Sequence, residues 1–244
     1  MRKIGIVGGL GPESTLYYYR MLIDLSRENQ AFAGNMPEII IYSVSMGQTN
    51  SETSSPQNSK TRVAEKISSV IQSLHKAGAD FVIIACNTAH RNIDYFRAAS
   101  PIPILSIVEE TCRAVDKLGF KRVGLLGNAI TASEDFYPDV FSRRNITLVV
   151  PNEGEQDYIH SRLFGEAANS IGSAEVQNRF QIIAKRMKSE EAIEGLVLGC
   201  TEIPLIMSKA NEKELGIPFF DTSRIHVQSA LKYCLSGNGL ESTA

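Results

Sequence analysis

The chain has 244 residues, 43% of them hydrophobic and 21% charged, with a net charge of −2 and a pI near 6.1. That composition has no basic field to attract nucleic acid. There is no apolar run of about 18 residues, as a membrane span requires. The basic start Met1-Arg-Lys turns at once into a Gly-rich stretch, whereas a signal peptide needs a longer apolar region. A cytoplasmic protein is expected. Its four cysteines (Cys86, Cys112, Cys200, Cys234) contain no C-x-x-C pair, so free thiols are expected and a zinc site is not.

In chain order, Lys3-Ile-Gly-Ile-Val7 reads as a first strand, followed by the loop Gly8-Gly-Leu-Gly-Pro-Glu-Ser14. A helix then runs from Thr15 to about Asn29, with Ser14 as N-cap and an apolar stripe of Tyr17, Tyr18, Met21, Leu22 and Leu25. Pro37 to Ser45 is a second strand. The polar stretch Met46 to Ser59 is a long loop, either a lid or only flexible. Lys60 to Ala77 is an amphipathic helix stopped by Gly78. Phe81 to Ala85 is a buried strand that runs into Cys86, then come a helix from Asp94 to Ala99, a short strand from Pro101 to Ile107 and a helix from Glu109 to Leu118.

The pattern then restarts. Lys121-Arg-Val-Gly-Leu-Leu-Gly127 repeats Arg2-Lys-Ile-Gly-Ile-Val-Gly8, and Ser133 falls near where Ser14 fell. Gly5 to Gly124 is a shift of 119, Cys86 to Cys200 of 114, and Pro103 to Pro218 of 115. Landmarks that recur in one order at nearly one offset indicate duplicated units. Asn145 to Val150 is a strand, Pro151 to Leu163 an irregular stretch, Ser173 to Glu191 a long helix, and Gly195 to Leu198 the strand before Cys200. Thr222 to Leu235 is a helix that crosses back. The fold class is therefore α/β, with two similar α/β lobes of mostly parallel strands. Lobe one is 1–105 completed by 222–244; lobe two is 106–221.

Each lobe carries an apolar strand that ends in a thiol, Cys86-Asn87-Thr88 and Cys200-Thr201-Glu202. Open α/β sheets hold ligands at the carboxyl ends of their strands. A pair of thiols facing one cleft can invert a carbon acid, one removing the proton while the other returns one to the opposite face. Thiol pKa values suit both roles and fall near a helix start. Asn87, Thr88 and Thr201 offer donors for a carboxylate. Glu202 and His90 can orient the thiols or relay protons. Taken singly, each cysteine is more readily a packing residue, the matched pair brings catalysis level with packing, and Cys112 and Cys234 read as core. The glycine loop is neither G-x-G-x-x-G nor a P-loop; Gly9 and Gly11 either permit a tight turn or bring backbone to a small acidic substrate. His75 sits on a helix and reads as a surface or a satisfied core histidine. Tyr158 and His160 are placed in a second wall of the cleft, against the plain alternative of a solvated loop. No cofactor and no metal are called for.

Gly8-Gly-Leu-Gly-Pro-Glu-Ser-Thr15, Ala85-Cys-Asn-Thr-Ala-His90 and Gly199-Cys-Thr-Glu-Ile203 resemble three signatures of the aspartate/glutamate racemase family, in its aspartate racemase branch. The resemblance runs essentially the full chain. It implies a cofactor-independent amino-acid racemase, a homodimer whose lobes are related by pseudo-twofold symmetry with the site between them. It implies Cys86 and Cys200 as the acid/base pair and Asn87, Thr88 and Thr201 as holders of the α-carboxylate. It also implies an Arg after strand two and a Lys in the second-lobe loop for an acidic side chain. Here Ser45 to Ser54 has no Arg and Glu153 to His160 no Lys; Arg162, Arg91 and His160 are the candidates to compensate. The expected substrate is a small, acidic amino acid, with a neutral or larger one as the alternative. An isomerase or decarboxylase of a small diacid on the same fold, or a non-catalytic binder of a small ligand, remains open.

Overall fold

The computed structural model describes residues 1–32, 34–45, 56–163 and 173–236. The first half contains β1 (Ile4–Gly8), α1 (Pro12–Glu28), β2 (Ile39–Ser43), α2 (Pro56–Lys76), β3 (Phe81–Ile84), α3 (Ile93–Ala99) and α4 (Ile107–Lys117). The second contains β4 (Arg122–Leu126), α5 (Ala129–Ser133), α6 (Pro138–Ser142), β5 (Thr147–Val149), α7 (Glu153–Leu163) and α8 (Ala174–Glu191). It ends with β6 (Gly195–Leu198), α9 (Ile203–Ile206), α10 (Lys209–Leu215), β7 (Phe219–Asp221) and α11 (Thr222–Leu235). The chain forms two compact units, Met1–Ile107 together with the chain from His226, and Val108–Ile225.

The first unit is a parallel sheet in the order β2-β1-β3. β1 and β3 are buried along their whole length, as continuous apolar runs in a parallel sheet must be. Alternate residues serve opposite layers. Ile4, Ile6, Phe81 and Ile83 pack with Tyr18, Met21 and Leu22 of α1 and with Val227, Ala230, Leu231 and Cys234 of α11. Val7, Val82 and Ile84 pack with Ile67, Val70, Ile71 and Leu74 of α2 and with Phe96 of α3. The α11 residues recur at helical spacing, the stripe that a helix needs to cover a sheet.

The second unit repeats this arrangement in the order β5-β4-β6-β7, again all parallel. The bridge Val82–Ile104 beside β3 has its counterpart in Leu196–Phe219, at shifts of 114 and 115. A Cβ on Gly8 would meet the Thr15 methyl at 2.5 Å, and one on Gly127 the Thr131 methyl at 2.6 Å. The internal repeat is thus one of strand pairing and of local packing. The core of this unit lies between the sheet and α7–α8, with Leu126, Leu196 and Leu198 against Ile159, Phe180, Ile183, Ala184 and Met187.

Several boundaries differ from those read in the sequence. α1 begins at Pro12 with Gly11 as its N-cap, and Ser14 is buried inside the helix; Pro at the first turn is pre-set for a helix start. α2 likewise starts at Pro56, and the lid expectation falls on residues 46–55, outside the described residues. The strand expected over Pro101 to Ile107 shrinks to the bridge at Ile104, because prolines cannot donate to a ladder. The irregular stretch expected over Pro151 to Leu163 is helix α7 from Glu153 onward. Its buried positions are Glu155, Ile159 and Leu163, and a carboxylate in that stripe hides the apolar period.

Glu155 is tolerated there because Arg186 of α8 meets it with both arms, Nε to Oε1 at 2.8 Å and Nη2 to Oε2 at 2.7 Å. Such two-armed pairs are the strong ones; Arg186 keeps Glu190 and Glu191 at 3.4 Å, but truncating Glu155 also removes the acceptor of the Asn152 amide. Glu155→Ala is expected to lower the unfolding free energy by about 2–4 kcal/mol in urea titrations. A change below about 0.5 kcal/mol, the size of an exposed pair, would show that the pair does not hold α7 to α8.

Candidate active site

Both thiols sit where a central strand stops. In the first unit the Ala85 amide donates to the Val7 carbonyl at 3.0 Å, the last rung between β3 and β1. Cys86 follows, half-buried, its Sγ 3.3 Å from the Thr88 hydroxyl. A hydroxyl can accept from a thiol or donate to a thiolate, so Thr88 suits both protonation states. Asn87 is buried beside it. The glycine loop leaves the same edge of the neighbouring strand. Gly9 has φ +78°, and a Cβ there would lie 2.3 Å from the Val44 carbonyl oxygen. Its amide donates to Thr15 Oγ1 at 2.8 Å, and that hydroxyl donates to the Gly11 carbonyl at 3.2 Å. Close approach to β2 and Thr15 accounts for Gly9, and capping of α1 for Gly11.

In the second unit the equivalent rung is the Gly199 amide on the Leu126 carbonyl, at 2.7 Å. A Cβ on Gly199 would lie 2.7 Å from Leu125 Cδ1 and 2.9 Å from that carbonyl oxygen, so only glycine fits before Cys200. Cys200 is 7% exposed. Its thiol donates to Glu202 Oε2 at 2.8 Å, and the Thr201 hydroxyl donates to the same oxygen at 2.9 Å. The residue two past each cysteine is therefore its partner in both units, a hydroxyl for Cys86 and a carboxylate for Cys200. Thr88 stands with Cys86, and Thr201 and Glu202 with Cys200.

Tyr158 and His160 both lie on α7. Tyr158 lies in the α7–α8 packing against Phe180, with the guanidinium groups of Arg162 and Arg179 at 5.1 and 5.8 Å from its ring centre. Its buried hydroxyl makes no hydrogen bond. His160 is exposed, its Nδ1 3.5 Å from the Ala129 amide at the start of α5. Cys112 and Cys234 are core; burial pushes the Cys112 thiol up to about 11 and raises that of Cys234 as well.

Sequence reading missed Tyr137 and His226. Tyr137 is fully buried, hydrogen-bonded to Thr222 and Thr111, and raised well above the usual phenol range by burial and then by the electrostatic influence of nearby Cys200. Thr222 in turn donates to the Leu198 carbonyl at 2.9 Å, on the strand that leads to Cys200. Nothing local in Phe136-Tyr-Pro138 marks this. His226 is also fully buried. Its Nδ1 is 3.0 Å from the Tyr18 hydroxyl and its Nε2 3.1 Å from the Leu105 carbonyl. Its ring meets that of His90 edge to face at 5.8 Å. Among the described residues, no helix is long and apolar enough to cross a membrane.

Two parallel α/β units, each ending a central strand in a hydrogen-bonded thiol, define an enzyme-like architecture that comparison with known proteins identifies by class. The model of the Asp/Glu/Hydantoin racemase family matches residues 7–230, and the chain belongs to that family. It is 24% identical over 243 residues to the broad specificity amino-acid racemase RacX of Bacillus subtilis, covering 96% of this chain and 98% of that protein. Among solved structures it resembles an aspartate racemase homologue from Pyrococcus horikoshii at 32% identity and a TM-score of 0.81, covering 96% and 99% of the two chains. It resembles a putative Asp/Glu racemase from Yersinia pestis at 27% identity and a TM-score of 0.85, covering 97% and 100%. The class is that of the amino-acid racemases.

Burial, and then the neighbouring imidazole of His90, hold His226 down to about 3, against the opposing pull of its Leu105 bond, where a free imidazole titrates near 6.5. Between those values the unfolded chain binds a proton that the native chain does not. Stability is therefore complete above about pH 6.5 and falls with pH until His226 itself protonates, by at most about 1.4 kcal/mol per pH unit. Urea midpoints should drop more steeply from pH 7 to 5 for the parent chain than for His226→Gln. Parallel slopes would assign the loss to other groups.

Proposed function

We propose that this chain is a PLP-independent racemase of a free α-amino acid, in which Cys86 and Cys200 act on opposite faces of one Cα. The observation that carries this is the matched pair of thiols, one at each equivalent strand end, each hydrogen-bonded to the side chain two residues on. Asn87, Thr88 and Thr201 supply donors for the α-carboxylate, and the same donors stabilise the charge that develops as the Cα proton leaves. The unlike partners assign the resting roles. A carboxylate accepting from Cys200 favours the thiol, so Cys200 rests as the acid. Thr88 can donate to a thiolate, so Cys86 rests as the base. The Cα proton passes to Cys86, and the Cys200 thiol returns its proton to the opposite face. Cys86 then holds the proton and Cys200 the charge, the state that serves the other enantiomer; exchange with solvent restores the first. Aspartate and glutamate are the first substrates to test. The absence of an Arg or Lys at the expected positions of 45–54 and 153–160, and a full-length relative that is a broad specificity amino-acid racemase, support a neutral amino acid as the second.

The test is ¹H NMR of the purified chain in D₂O with L- and D-amino acids in turn, together with chiral chromatography of the products. Cα-proton loss and racemisation are expected for at least one amino acid, unchanged by a metal chelator or by a carbonyl reagent that traps PLP. Cys86→Ser and Cys200→Ser should each lower racemisation by at least about a hundredfold, the scale of a lost general acid or base. If no amino acid exchanges its Cα proton, the proposal fails; turnover of maleate or a substituted malonate in the same preparation would assign diacid chemistry instead.

Glu202→Gln removes the charge that keeps Cys200 protonated. Activity in this variant is expected to fall off at a lower pH than in the parent on the alkaline side, as the Cys200 thiol loses its proton more easily. An unmoved alkaline limb would remove Glu202 from the acid's environment.

A further inference from the structure

His90 and His226 are buried titratable groups for which the racemisation steps above have no use. Their hydrogen bonds define their states. His90 Nδ1 lies 2.9 Å from the Cys86 carbonyl oxygen, a group that only accepts. The Ile107 amide, which only donates, is 3.3 Å from His90 Nε2. Both bonds form together only when the ring is neutral with its proton on Nδ1. A charged ring or the other tautomer would set an N–H against the Ile107 amide. His226 is the converse. Its Nε2 faces the Leu105 carbonyl, so Nε2 carries the proton and Nδ1 accepts from the Tyr18 hydroxyl.

The backbone groups served in this way are not scattered. Ile107 opens α4, and the amides of a helix's first turn have no partner within the helix. Leu105 and Ile107 are two residues apart, one held by each histidine. Ile107 is also the last residue of the first unit before the chain leaves it, and His226 the first on its return. Both crossovers are thus tied, within that unit, to the loop that bears Cys86.

We propose that His90 is a positioning residue for Cys86, acting as a neutral Nδ1–H imidazole that fixes the Cys86 carbonyl, and that His226 and Tyr18 complete its support. The proposal rests on the racemase reading for its kinetic arm alone. His90 holds the thiol's backbone in place and exchanges no proton with it, which excludes the relay role that its place in the sequence allowed.

Two substitutions separate the two bonds of His90. The amide nitrogen of His90→Asn coincides with Nδ1 and keeps the donor to Cys86. The amide of His90→Gln reaches the Nε2 position and keeps an acceptor for Ile107 instead. His90→Asn is expected to stay within about threefold of the parent in kcat, and His90→Gln to lose about ten- to a hundredfold with KM little changed, the scale of a small misplacement of a reacting group. The pH profile should be the same in all three, since no titrating group has been removed from the reaction. The rate of Cys86 alkylation by iodoacetamide should follow the same order, with His90→Asn like the parent. Asn as damaging as Gln, or a limb of the pH profile lost in both, would mean a relay and overturn the proposal.

Long-range ¹H–¹⁵N spectra of the parent chain give a measure that needs no variant to fold. They should show His90 with its proton on Nδ1 and His226 with its proton on Nε2 at neutral pH. A charged His90, or one protonated on Nε2, would overturn the proposal. A parent that exchanges no Cα proton yet shows these two tautomers would sink the racemase reading and leave the positioning role standing.

Discussion

Everything at the candidate site depends on the parallel pairing of β3 with β1 and of β6 with β4. Parallel strands bring their carboxyl ends to one edge of the sheet. The rungs Ala85 to Val7 and Gly199 to Leu126 close each pair just before the cysteine. Were the register to slip by one residue, the apolar set of each strand would exchange faces, so burial of Ile83 and Leu198 fixes where the thiols emerge. The need for glycine at 199 has the same origin, since a Cβ there would lie 2.9 Å from the Leu126 carbonyl oxygen of β4.

On that common frame the two ends have been given different chemistry. The same two-residue spacing presents a hydroxyl to Cys86 and a carboxylate to Cys200. The burial also differs: Cys86 is half-buried and Cys200 buried. A reaction run in both directions by two groups needs one of them loaded with a proton and the other without at every moment. In the proposed reaction, the unlike partners are what would set that difference before the substrate arrives. A neutral hydroxyl can serve either state of a thiol, while a carboxylate serves only the protonated one.

The polar groups in the interior follow a second rule. Each is expensive to bury and is held because its partners are buried with it. Glu155 has both arms of Arg186; His90 and His226 satisfy backbone groups at the points where the chain leaves and re-enters the first unit; Tyr137 stands on Thr111 and Thr222. These groups join elements remote in sequence. Arrangements of this kind hold a reacting group to a narrow geometry at a cost in stability that an apolar core would not carry.

Much of this was legible in one dimension. The runs Ile4 to Val7, Phe81 to Ile84 and Gly195 to Leu198 are apolar because both faces are covered, and their length and boundaries announce strands. The cysteines follow directly, and the offset between them exposes the repeat. What failed to show was whatever depended on a partner elsewhere in the chain. α7 was hidden because a buried glutamate interrupts its stripe, and that glutamate makes sense only beside Arg186. The expected strand at 101–107 was cut short by prolines whose missing donors matter only in a ladder. Tyr137 and His226 lie far along the chain from the thiols' own loops and carry no local mark. Sequence alone determined the strands, the thiols and the duplication, because periodic burial is written locally in residue type. The partners of the buried polar groups, among them the unlike partners of the two thiols and the two backbone groups that His90 bonds, were decided by the tertiary structure, because a hydrogen bond is satisfied by proximity in space.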